Sequence, residues 1–115
     1  MKVLCVTLGD SQPSPTGWLT LHREYLVLAI LALPGRTIRF RVLSDDGRTP
    51  ILADSSLFAA PVQPLPATWA GTVTEDGVVE LGPQRWLEPG FWERFFDRDP
   101  VAVEVFSQEV EALGG

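Results

Sequence analysis

The chain holds one histidine and one cysteine, so a nucleophilic pair of the Ser-His-Asp or Cys-His kind has to be built on His22, with Cys5 or a serine brought close by folding. A half-exposed histidine at the start of a strand is the ordinary account of such a residue. Carboxylates pair at Asp45 with Asp46 and at Asp97 with Asp99. Such pairs serve general acid and base chemistry or a divalent cation, yet both fall where turns and helix caps favour aspartate. Gly71, Gly77, Gly82 and Gly90 are isolated beside turns, and no phosphate-cradling loop is present. No Cys and His spacing fits structural zinc. The expectation is no catalytic residue, no metal and no cofactor.

Charge gives more. A net charge of −6 disfavours nucleic-acid phosphates and acidic membranes as partners and suits a basic protein. The acids crowd the final third as Glu88, Glu93, Asp97, Asp99, Glu104, Glu109 and Glu111, against Arg94 and Arg98. Such asymmetry focuses a negative field. Arg36, Arg39, Arg41 and Arg48 gather around one hairpin, where a solvated strand face accounts for them without a ligand.

These residues need a scaffold, and 115 residues suit a single domain, 1–115, with one core. The N-terminal run is too short for a signal segment or a membrane span. With a lone cysteine, predicted buried because it alternates with Val3 in an apolar strand, the expectation is a cytoplasmic protein. Residues 9–17 are rich in breakers and read as loop. Residues 24–33 are ambiguous. Their leucines and alanines would serve a helix, whereas ten apolar residues without a polar stripe, ending at Pro34-Gly35, also describe a strand covered on both faces. Strand is preferred because residues 36–44 alternate as its partner, with Ile38, Phe40 and Val42 toward a core and Thr37, Arg39 and Arg41 toward water.

Turn chemistry recurs at Asp45-Asp46-Gly47-Arg48 and at Glu75-Asp76-Gly77. Short strands follow at 50–53 and flank the second turn at 69–74 and 78–81, and the prolines of 61–67 mark an extended connector. The fold class predicted is α+β: a strongly bent antiparallel sheet or partial barrel of five to seven short strands, with two C-terminal helices. Pro89 opens the first helix, and Asp99-Pro100 caps the second, which runs to about Leu113. In the first, Phe91 and Phe95 form one row and Trp92 and Phe96 another, a broad aromatic face predicted to be core against the sheet. In the second, Val103, Phe106, Val110 and Leu113 share a face, and Glu104, Gln108, Glu109 and Glu111 take the other.

The set Tyr25, Asp46-Gly47, Pro50, Phe58, Pro66, Trp69, Gly90-Phe91-Trp92-Glu93 and Phe95-Phe96-Asp97 resembles small immunity proteins encoded beside bacterial polymorphic toxins, including those of contact-dependent growth inhibition. The resemblance implies a cytoplasmic bacterial protein that binds and neutralises one cognate toxin domain, and it carries no catalytic residue. Acidic members of that class face nuclease toxins with basic clefts, so a basic toxin is the expected partner. The acids Glu104, Glu109 and Glu111 would supply the field, and Trp86 or Trp18, both outside the strongest periodic segments, the aromatic anchor. The alternative is a small ligand-binding or enzymatic domain using a concave sheet face near His22 and Arg41.

Overall fold

The computed structural model describes residues 1–9, 17–35 and 38–114. Most of the expected 9–17 loop, together with Arg36 and Thr37, lies outside them. Seven strands form one open antiparallel sheet: β1 (Lys2–Cys5), β2 (Glu24–Ala32), β3 (Ile38–Leu43), β4 (Pro50–Asp54), β5 (Phe58–Ala59), β6 (Trp69–Val73) and β7 (Val79–Pro83). Two helices follow, α1 (Phe91–Phe96) and α2 (Pro100–Ala112). The predicted fold class is the one observed. No helix among the described residues is long and apolar enough to cross a membrane.

The sheet is organised on β2, and the ambiguity over residues 24–33 resolves as strand for a physical reason. Tyr25 to Ala29 are all buried, because each side of the strand faces its own apolar cluster. Tyr25 and Val27 join Val3, Cys5, Val42 and Phe58 on one side. Leu26 and Leu28 join Trp86, Phe91, Ala102 and Phe106 on the other. A strand covered twice has no position left for a polar stripe. The core is therefore double where one was expected.

Along one edge β2 pairs β3 from Val27 to Ala32, and elsewhere it pairs β1 over its first residues and β7 over its last. The sheet thus forks into a β1–β5 branch and a β7–β6 branch. A register shift between Val27 and Ala29 marks the fork. The extra residue adds local bend and twist, and it turns Ile30 rather than Ala29 toward the first cluster. The β7 strand crosses close to this bulge. A Cβ at Gly82 would lie 3.2 Å from the Ala29 Cβ and 3.4 Å from the Leu28 carbonyl oxygen, so glycine is what admits β7 there.

The β3–β4 turn is held by its aspartates, as turn chemistry predicts. Asp46 accepts from the Thr49 hydroxyl (2.6 Å) and N–H (2.7 Å), the Arg48 N–H (2.7 Å) and the Ser44 hydroxyl (3.1 Å). The bonds from Thr49 and Arg48 hold its carboxyl well below the usual carboxylate range. Asp45 accepts from the hydroxyls of Tyr25 and Thr20 and meets Arg23 at 3.4 Å, which ties the turn to the start of β2. Burial pushes the Asp45 carboxyl up, but those bonds and the Arg23 charge outweigh it and leave it low.

Both carboxylates are depressed relative to the unfolded chain, so the stability they contribute is present in full above the unfolded value of about 4 and is lost as pH falls through the lower folded values. Urea melts at stepped pH should show stability declining from about pH 4 downward, with Asp46→Asn flattening that decline. An identical slope in the variant would contradict the assignment.

Candidate functional site

The connection between the helices sets the geometry of the site. Only residues 97–99 separate α1 from α2, and so tight a reversal places one residue in the left-handed region. Helices usually put glycine there, yet here it is Arg98, at φ 62°. Its N–H donates to the Phe95 carbonyl and the Asp99 N–H to the Arg94 carbonyl, both at 3.0 Å, the paired bonds that close such a helix end. Asp99 then caps α2 by accepting from the Val101 N–H at 3.1 Å, with Pro100 at the first helical position. The cap and proline agree with the sequence prediction.

This reversal leaves a groove of about 660 Å³ between the helices and the β3–β4 turn. Phe95, Phe96, Phe106, Val103 and Val110 give it an apolar floor, residues 46–50 form the facing wall, and Arg48, Arg98 and Glu111 bring charge to it. The floor is graded. Phe106 is 6% exposed and stacks on Phe95 at 4.4 Å, whereas Phe96 is 56% exposed. Among the described residues the ion pairs are Arg23–Asp45 and Arg85–Glu109, so Arg48 and Arg98 face the groove unpaired. No three His, Cys, Asp or Glu side chains of the described residues gather as a metal set. No protein-family model, curated protein or solved structure matches the chain.

The candidate partner-binding residues separate. Trp86 is 2% exposed and stacks on Phe106 at 5.2 Å, so as placed it is the centre of the second core and not a surface anchor. It leaves the periodic pattern because it lies in a 3₁₀ turn, Gln84–Trp86. Trp18 is 48% exposed. Glu104 is exposed and accepts from Gln108, while Glu111 stands at the groove. Glu109 turns away: at about 100° per residue it lies roughly 140° around the helix from Glu104, and it is held by Arg85 at 2.8 Å. The three glutamates do not form one patch.

His22 and Cys5 do meet, but through the backbone. The His22 N–H donates to the Cys5 carbonyl at 2.8 Å, while the histidine is exposed at positive φ. Cys5 is buried as expected, and burial pushes its thiol up. A thiol so placed is a poor nucleophile.

Arg41 corrects the picture of a wet strand face. Its alternation with Phe40 and Val42 is as predicted, but the face it occupies is covered by α1. Arg41 is 8% exposed, its guanidinium lies 4.0 Å from the Trp92 ring centroid, and its Nε has no hydrogen-bond partner. Burial lowers its pKa, with the charge of Glu80 opposing. Desolvating a guanidinium without an ion pair costs several kcal/mol, more than the ~2 kcal/mol of a buried cation–π contact. Arg41→Met is therefore expected to raise stability by about 1 kcal/mol in a denaturant melt. A loss of similar size would show that the Trp92 contact dominates.

Proposed function

We propose that the chain is a stoichiometric protein-binding module of the immunity kind, which neutralises a basic toxin domain, nucleolytic by that resemblance alone, and is not an enzyme. One observation carries this reading. Exposed apolar side chains, Phe96 and Val103, stand together on the helical layer among the exposed acids Glu93, Asp97, Glu104 and Glu111. An apolar anchor within an acidic rim suits a basic partner, with the rim acting on encounter and the anchor on residence time.

The test is association with the toxin domain encoded in the adjacent reading frame, followed by stopped flow. Glu104→Lys with Glu111→Lys, sparing the Glu109 ion pair, is expected to slow association about tenfold or more at low salt. The difference from the parent should shrink as salt rises. An unchanged rate in the doubly reversed variant overturns the acidic rim, and no association of the parent overturns the module itself.

A further inference from the structure

We propose that the outer edge of β6 pairs with the β6 edge of a second copy of this chain, antiparallel, with Thr72 on the two-fold axis. The hydrogen-bond pattern selects this register. Across the β6–β7 hairpin the Thr74 N–H donates to the Val78 carbonyl at 3.0 Å, and Thr72 stands opposite Glu80, so by alternation Thr72 and Thr74 turn their backbone groups toward β7. Gly71 and Val73 turn theirs outward. The Trp69 N–H is already taken by the Pro66 carbonyl at 3.0 Å, and Gly71, Thr72 and Val73 are all exposed. With Thr72 on the axis, Gly71 of each copy meets Val73 of the other, and the two residues exchange N–H and carbonyl. Four hydrogen bonds form from groups that β7 leaves free.

Side chains favour the same pairing. Ile38, Ala32, Val79 and Val73 stand opposite one another in turn across β3, β2, β7 and β6, a row one step beyond Phe40 and Ile30, which pack on the first cluster. It ends at the free edge with Val73, 71% exposed. In the paired register Val73 faces Gly71 of the second copy, over which Leu81 leans so closely that a Cβ there would come within 2.9 Å of its Cδ2. Val73 therefore gains Leu81 as an apolar neighbour across the axis, and Thr72 gains Thr72. Residues 69–74 carry no charge or proline, the devices that keep edges apart. The other edges have them: β4 begins at Pro50 and ends at Asp54, and β5 is two residues long with Pro61 soon after. One open edge per chain gives a closed dimer and no filament.

The interface is small, so self-association on the order of 100 µM is expected, strengthening with salt as repulsion between two chains of charge −6 is screened. Sedimentation equilibrium of the full chain, from about 10 µM to 1 mM, should show a mass rising from 12.6 kDa toward twice that value. Val73→Pro removes an outward N–H that β7 does not use, and is expected to weaken the dimer at least about tenfold. Thr72→Lys and Thr72→Glu each set like charges opposite on the axis and should weaken it about threefold or more, whereas an equimolar mixture of the two should recover the parent's association. Circular dichroism and urea melts of each variant confirm the fold. A single monomeric species at 1 mM, a dimer indifferent to Val73→Pro, or failure of the lysine and glutamate variants to rescue each other overturns the proposal. None of residues 69–74 lines the helix groove, so these outcomes are separate from those of toxin association.

Discussion

Replacing Trp86 with alanine is expected to cost about 3–5 kcal/mol, a large part of the 5–15 kcal/mol typical of a whole domain. Trp86 is 2% exposed and central to the helical layer. It stacks on Phe106 at 5.2 Å and Phe91 at 6.4 Å and meets Trp92 at 5.6 Å, so it joins both helices to Leu26 and Leu28 on β2. Alanine would leave a cavity that a rigid sheet and two short helices cannot close, and the cost combines lost transfer energy with that cavity. Trp86→Phe should cost much less. The indole Nε1 makes no hydrogen bond, so removing it strands no partner. Urea melts of the two variants provide the check: a loss under about 1 kcal/mol for alanine would mean that the helical layer does not depend on Trp86.

The prominence of Trp86 was hidden in the sequence for the same reason that much else was visible. Strands β3, β4, β6 and β7 could be located because their turns carry glycine and aspartate at positions with a definite conformational need. Gly47 and Gly77 adopt φ of 71° and 81°. The two clusters on β2 were illegible, since a run apolar on both sides says that it is covered and not by what. Arg41 shows the limit from the other direction: alternation assigns a residue to a face, and only the docking of α1 decides whether that face is wet. Trp86 has no period to reveal it, because a 3₁₀ turn of three residues is shorter than any pattern. The groove had a signal. The stretch Phe96-Asp97-Arg98-Asp99-Pro100 joins two helices without a glycine, which requires an ordinary residue at positive φ and exposes the side chain there.

Phe95→Ala and Phe96→Ala should part company although the residues are adjacent and were both expected in the core. Phe95 is half-buried, stacks on Phe106 at 4.4 Å and also meets Phe91 at 6.4 Å and Trp92 at 5.8 Å. Its truncation is expected to cost about 2–3 kcal/mol, below the full range for a buried phenylalanine because one side already faces the groove. Phe96 is 56% exposed and touches Phe95 and Trp92 from outside, so Phe96→Ala should cost under about 1 kcal/mol. The reason lies in the length of α1. Six residues give fewer than two turns at 3.6 residues per turn, and such a helix presents one face to the core, not two. Phe91 and Trp92 lie nearest Trp86, Phe95 follows on the inner row, and Phe96 is carried past the edge of the sheet into the groove. Denaturant melts with matched slopes measure both costs. Equal losses would mean that Phe96 is packed as Phe95 is, leaving the groove without the apolar surface on which the proposed docking depends.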